Sequence, residues 1–204
     1  IGYGSTEAGV ISVLRHEDQK RKIACVGNPI FAQKVRVVDG EMKDLPLGEI
    51  GEVVCQSPLC IREYYGNPAA TAETVRDGWL RTGDLGRFDE EGYLYLVGRA
   101  KDMIISGGEN VYAIEVENAL YENPKVWEAS VIGLPHQKWG EMVTAELVLK
   151  NGEEMTEKEV IDHCRKYLAG YKCPKDVKFV AELPRNTYGK VVKAKLTEQF
   201  SARD

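Results

Sequence analysis

GRAKDMIISGGENVYAIEVE, residues 98–117, divides the chain into two kinds of structure. Ahead of it, residues 23–97 read as β structure, with short alternating or apolar runs at 34–38, 51–56 and 93–97. Turn signals separate them: Asp39-Gly40, Pro46 with Gly48, Asp77-Gly78 and Glu91-Gly92. One helix interrupts the strands. Asn67 is placed to cap it, Pro68 suits its first position, and residues 69–75 propagate it until Asp77-Gly78. Behind the quoted stretch, helices and strands alternate. Residues 114–122 read as a helix stopped before Pro124, and 126–134 and 143–149 as strands. The sharpest pattern is a helix over 156–168, where Thr156 and Glu159 form a capping box and Val160, Ile161, Cys164, Tyr167 and Leu168 share one face. Gly170 ends it, a strand over 176–181 follows, and a short helix spans 194–200. Ser106-Gly107-Gly108-Glu109-Asn110 reads as a loop between a strand and a helix. The expected architecture is a β-rich piece followed by a small α+β domain, with the boundary at residues 99–102.

Composition narrows the function classes. With 204 residues and 43% hydrophobic content the chain can bury a core as one large or two small domains. No apolar run approaches the ~20 residues a membrane span needs, and no basic-then-apolar leader opens the chain. Its first residue is Ile1, which implies a fragment. The five cysteines include no C-x-x-C pair and no histidines at metal-ligand spacing, so they read as reduced cytoplasmic thiols. A net charge of −5 argues against nucleic-acid binding. The charge is uneven: residues 171–204 hold eight basic against four acidic side chains, a local +4 on an otherwise acidic body. That tail is either a solvated cationic face or a surface for a polyanion.

Three short motifs carry possible chemistry. Gly2-Tyr3-Gly4-Ser5-Thr6-Glu7 is no Walker loop, and it fails the dinucleotide pattern because Glu7 stands where the third glycine belongs. Alone it is a polar turn, or an oxygen-rich loop suited to a hard cation on phosphates. Thr82-Gly83-Asp84 holds either a turn aspartate or a carboxylate whose two oxygens match a cis-diol. Lys190 lies in Pro184-Arg185-Asn186-Thr187-Tyr188-Gly189-Lys190, at a loop tip from which an ammonium can face solvent or a reacting phosphate. Lys193 and Lys195 read as surface charges, Trp139 as a packing residue in preference to a neighbour of a bound ligand, and His16 and His163 have no evident partner.

In this order and at these separations the motifs resemble the adenylate-forming enzymes: acyl-CoA synthetases, peptide-synthetase adenylation domains and luciferases. The resemblance runs from Tyr3 to Lys190. It implies that residues 1–98 end a large N-terminal AMP-binding domain as a distorted antiparallel barrel, that 99–103 form a hinge, and that 104–204 are a mobile α+β domain. It also implies roles. Tyr3 lies beside adenine, with Gly4, Ser5 and Thr6 at the nucleotide and Glu7 holding Mg²⁺. Asp84 accepts both ribose hydroxyls and Arg99 reaches ribose or phosphate. Lys101 is the pivot, Gly107, Gly108 and Glu109 line the CoA channel, and Lys190 stabilises charge as a carboxylate attacks ATP. The stretch at 98–112 looks closer to fatty and aryl acid CoA ligases than to peptide synthetases. Two positions depart from the family pattern: His136 stands where an aspartate is usual, and Ala113 where many relatives have proline. The implied substrates are a carboxylic acid, ATP with Mg²⁺, and CoA, in the cytoplasm, without nucleic acid. The phosphate loop and most of the acid pocket belong to an N-terminal part missing here, so the fragment alone is expected to be inactive. A carrier-loading adenylation domain and a non-catalytic nucleotide-binding module are the alternatives.

Overall fold

Turn chemistry decides where the strands of the first half begin and end. In the computed structural model, which describes residues 1–201, the chain forms two compact units, Ile1–Lys101 and from Asp102 onward. In the first, β1 (Gly2–Ser5), β2 (Gly9–Val13) and β3 (Asn28–Pro29) make a three-stranded antiparallel sheet. A second sheet contains β4 (Lys34–Val38), β5 (Gly51–Gln56), β6 (Val75–Arg76), β7 (Trp79–Phe88) and β8 (Leu94–Arg99), with α1 (Pro68–Thr74) leading into β6. The Asp39 carboxylate accepts from the backbone N–H groups of Glu41 and Lys43, and Asp89 does the same for Glu91 and Tyr93. Both are side-chain-closed turns of the kind aspartate favours. Asp77 (φ 51°) and Gly78 (φ 77°) are both left-handed, which matches the right-handed twist of the β6–β7 hairpin they close. The Asn67 side chain caps α1 by accepting from the Ala70 N–H at 3.1 Å.

The strands do not close into a barrel. The second sheet runs β4-β5-β7-β6, with β8 also on β7, and β4 pairs with β5 alone, so an edge stays open. Among the described residues the only β-bridge near both sheets is the isolated Gly27↔Leu94 pair. The reason lies in β7: its side away from β5 is taken by β6 at its first residues and by β8 at its last, so both end the sheet there and neither reaches back to β4.

The second unit is a five-stranded sheet, β9 (Met103–Ser106), β10 (Glu109–Tyr112), β11 (Val126–His136), β12 (Gly140–Leu149) and β13 (Asp176–Phe179), in order β10-β9-β12-β11 with β13 parallel to β12. It carries α2 (Ala113–Tyr121), α3 (Glu157–Cys164) and α4 (Lys193–Ser201). Strand alternation puts Val131 in the main core with Val116, Leu120, Val143, Leu147, Val160 and Cys164, while its neighbour Ile132 faces Leu183 and Leu196. Thus α2 and α3 cover one face and α4 the other. Ser106-Gly107-Gly108-Glu109 is not a strand-to-helix loop as expected. It is a two-residue β-hairpin turn between β9 and β10, with Gly107 (φ 64°) and Gly108 (φ 87°) both left-handed, and the helix starts only at Ala113.

The capping box is present in full: Thr156 Oγ1 accepts from the Glu159 N–H, and the Glu159 carboxylate accepts from the Thr156 N–H at 2.7 Å. Thr156→Ala should therefore lower the stability of this unit by about 1 kcal/mol. Urea unfolding followed by circular dichroism reads this as a lower midpoint at constant slope. An unmoved midpoint would show that the box is formed but contributes nothing.

Candidate active site

Glycine geometry builds the first wall. A Cβ on Gly4 would stand 2.1 Å from the Gly9 carbonyl oxygen, so only glycine lets β1 and β2 approach as they do. The sharp turn between them holds Ser5, Thr6 and Glu7 at the surface, closed by the Ala8 N–H donating to Ser5 Oγ at 3.1 Å. The Tyr3 ring packs against Ala8, Ile11, Cys55 and Leu80, which fixes its direction. Its hydroxyl donates to Asp84 Oδ2 at 2.7 Å. Burial pushes the Tyr3 phenol well above its ordinary pKa, so it stays protonated and keeps that role as donor.

Asp84 is held from both sides. Its other oxygen, Oδ1, lies 2.9 Å from Arg99 Nε, because β8 runs two residues further than its apolar run predicts and sets Arg99 opposite Asp84 on β7. Each carboxylate oxygen has a second lone pair to offer. The backbone approaching Asp84 is equally constrained. Thr82 Oγ1 donates to the Val53 carbonyl at 2.7 Å and accepts from the Asp84 N–H at 3.1 Å. Gly83 sits at φ 70°, and Arg99 Nη2 donates to the Thr82 carbonyl at 3.2 Å. Neither Thr82 nor Gly83 is an ordinary surface turn.

Two residues that sequence reasoning passed over complete this region. Glu52 Oε2 accepts from Arg81 Nε and Nη2 at 2.9 and 2.6 Å, while its Oε1 accepts from the Gly83 N–H at 3.2 Å. The Tyr64 hydroxyl donates to Glu7 Oε1 at 3.2 Å. A glutamate inside the apolar run Gly51-Glu52-Val53-Val54 is the one available signal, and its partners lie about thirty residues on. The Glu7 carboxyl is held below its ordinary range, first by its own backbone N–H and then by Ser5, Tyr64 and the Arg99 charge, against the opposing pull of burial. Ser5, Glu7, Thr82, Gly83 and Arg99 together line an open cleft of about 290 Å³. Among the described residues no cluster of three or more His, Cys, Asp or Glu side chains is placed for a metal. Glu7 therefore offers one carboxylate ligand, which fits a Mg²⁺ ion that takes its other oxygens from phosphates and water.

The other candidates lie at separate places, one at the end of the first unit and the rest in the second. Lys101 is the last residue of the first unit, exposed in the short 3₁₀ turn Ala100–Asp102. Gly107 and Gly108 lie at the hairpin tip by one sheet edge, with Glu109 exposed beside them. The Gly107 N–H donates to the Trp139 carbonyl at 2.7 Å, and a Cβ there would meet the indole at 3.3 Å. Lys190 lies beyond the opposite edge, in a turn clamped by Asn186: the Asn186 side-chain oxygen accepts from the N–H groups of Tyr188 and Lys190, and its own N–H donates to the Lys190 carbonyl. The Lys190 side chain is exposed and makes no ion pair with a described residue.

Two residues dismissed on sequence grounds have partners. Lys193 is not a free surface charge: its ammonium donates to Glu117 Oε1 at 2.8 Å and to the Val131 carbonyl at 3.0 Å. His163 Nε2 is 2.9 Å from the Ala119 carbonyl, tying α3 to α2.

Residues 1–65 match the family model of AMP-binding enzymes, and residues 115–190 match that of the AMP-binding enzyme C-terminal domain. The chain is 45% identical over 204 residues to a long-chain-fatty-acid–CoA ligase, FadD13, of Mycobacterium tuberculosis, covering 98% of this chain and 40% of that protein. It is 44% identical over 201 residues to a feruloyl-CoA synthase of Amycolatopsis, covering 98% of this chain and 41% of the relative. Among solved structures, ATP-bound MatB from Rhodopseudomonas palustris superposes with a TM-score of 0.90 at 40% identity, over 98% of this chain and 40% of that one. The o-succinylbenzoate CoA synthetase of Bacillus subtilis, bound to its acyl-adenylate, does so with a TM-score of 0.90 at 36% identity, over 96% and 40%. The chain thus spans about two fifths of the length of the relatives it matches.

Proposed function

We propose, because this chain belongs to the adenylate-forming, AMP-binding enzyme family, that it is the C-terminal portion of an ATP-dependent acid–CoA ligase acting on a fatty or aryl carboxylic acid. The observation that carries this reading is the Tyr3–Asp84–Arg99 constellation, in which one carboxylate is aimed by a half-buried phenol and an arginine beside an open polar cleft.

Asp84 would accept from the ribose hydroxyls through its remaining lone pairs, as ionised acceptors do best. Arg99 neutralises that carboxylate and lies at the cleft, where it can turn to ribose or phosphate. The Tyr3 ring gives adenine a flat apolar wall, with Gly4 keeping the backbone close and Ser5 and Thr6 presenting hydroxyls to phosphate. Glu7 would hold Mg²⁺, whose part is to neutralise the phosphates. Lys190, whose ammonium has no ion-pair partner among the described residues, would bring its charge to the oxygens that become more negative as the carboxylate attacks the α-phosphorus and pyrophosphate leaves. A change of domain orientation about Lys101 would then withdraw Lys190, and the hairpin of Gly107, Gly108 and Glu109 would line the path of the CoA thiol. Residues 1–98 would close a larger N-terminal domain, with residues 99–103 as hinge. No helix among the described residues is long and apolar enough to cross a membrane. The cytoplasmic location we propose rests instead on the five cysteines, all of them free thiols.

The reading is tested in the complete polypeptide by ATP–pyrophosphate exchange across a panel of fatty and aryl acids. Exchange that depends on one class of acid, followed by thioester formation with free CoA, is the expected result. Exchange with transfer only to a carrier protein's phosphopantetheine would assign the chain to the carrier-loading branch. AMP binding with no exchange for any acid would make it a non-catalytic module.

A further inference from the structure

Lys190 lies in a loop that is held to one strand at both of its ends. Five residues before it, the Arg185 guanidinium donates to Glu128 Oε1 of β11 and to the Gly189 carbonyl of the loop itself, each at 2.5 Å. Three residues after it, the Lys193 ammonium donates to Glu117 of α2 and to the Val131 carbonyl of β11. Glu117 Oε1 also accepts from the Val131 N–H at 2.9 Å, so one carboxylate oxygen joins helix, strand and loop exit. Between these anchors the backbone is closed by the Arg185↔Val191 bridge and by the Val192 N–H donating to the Pro184 carbonyl at 2.8 Å.

The two anchors differ in strength. The Lys193 and Glu117 side chains are only 26% and 17% exposed, so water screens that pair less than it would at an open surface, whereas Glu128 is 24% but Arg185 42% exposed, which makes theirs the weaker, more screened anchor. Both ion pairs also involve neighbouring backbone, so losing one partner leaves polar groups unpaired as well as a charge. A lysine at the tip of a short loop has four rotatable bonds of its own. Fixing the two loop ends is what the rest of the chain can do to limit where the ammonium reaches.

We propose that Lys193 with Glu117, and Arg185 with Glu128, are positioning residues for Lys190, and that they act on acyl-adenylate formation through Lys190 alone. This rests on the role assigned to Lys190 above. Displacement of a catalytic group by about 1 Å can cost 10²-fold, so Lys193→Met should slow adenylation about 10- to 100-fold in the complete polypeptide. Thioester formation from supplied acyl-adenylate should be unchanged, and Lys193→Arg should restore most of the lost rate.

The deciding experiment is a double-mutant cycle on adenylation rate with Lys190→Ala, Lys193→Met and both together. If Lys193 works through Lys190, Lys193→Met costs nothing further once Lys190 is gone. Independent, multiplying losses would overturn the positioning role, as would equal losses in both half-reactions. Glu128→Gln provides a second route, with the same coupling expected, should Lys193→Met fail to fold. If Lys190→Ala alone leaves adenylation intact, the catalytic reading of Lys190 fails first and by itself.

Discussion

Lys190→Ala in the complete polypeptide is expected to slow acyl-adenylate formation about 10²- to 10³-fold, the usual effect of removing one preorganised group that stabilises developing charge. The second half-reaction, started from supplied acyl-adenylate and CoA, should keep its rate. The asymmetry follows from what an exposed ammonium can do, which is to stabilise negative charge, and its turn is built by Asn186 hydrogen bonds that survive truncation of the side chain. The fold should therefore be undisturbed, and an unchanged melting temperature is part of the expected result. Single-turnover rates for the two halves decide the matter. Equal losses in both would remove Lys190 from this role.

Asp84→Ala should weaken AMP and ATP binding by more than about 10-fold, since a charge-assisted hydrogen bond is worth about 1.5–3 kcal/mol and the ribose would lose up to two. The substitution also releases Arg99 Nε and the Tyr3 hydroxyl, two donors that would then lack their acceptor. Tyr3→Phe is the matching control: it removes one donor to Asp84 but leaves the carboxylate and the Arg99 pair, so its loss should be smaller. Acid preference should not move in either variant. Calorimetric titration with AMP reads both, and an Asp84→Ala protein that binds AMP as tightly as the parent would show that the carboxylate faces something other than ribose.

Much of this was legible in the sequence where the signal is local. The capping box at Thr156 and Glu159, the Asn67 cap and the Asp77-Gly78 turn each depend on residues within a few positions, and each forms. The small α+β unit also follows from periodicity, because its apolar positions repeat within single elements. Signals that need a distant partner were silent. Glu52 is explained by Arg81 and Gly83, Tyr64 by Glu7, Lys193 by Glu117 seventy-six residues earlier, and His163 by the Ala119 carbonyl. None of these pairs has a spacing that a strand or helix period would flag. The barrel failed for a similar reason: alternation predicts strands but not whether β4 finds a partner on its free edge. Gly107-Gly108 does form a turn, but one that joins two strands rather than a strand and a helix, since Glu109–Tyr112 is too short and too mixed to announce itself as a strand.

The central claim, that the groups around Asp84 and the loop at Lys190 belong to an enzyme that joins a carboxylate to AMP before making a thioester, has a direct chemical test. The oxygen bridging carbon and phosphorus in an acyl-adenylate comes from the carboxylate, and it leaves with AMP when the CoA thiol attacks the carbonyl carbon. The complete polypeptide is given an acid labelled with oxygen-18 at both carboxyl positions, together with ATP, Mg²⁺ and CoA, and the AMP is weighed by mass spectrometry. One labelled oxygen in each AMP, matched by one thioester, is the predicted result; unlabelled AMP, or label appearing in inorganic phosphate beside ADP, would contradict it.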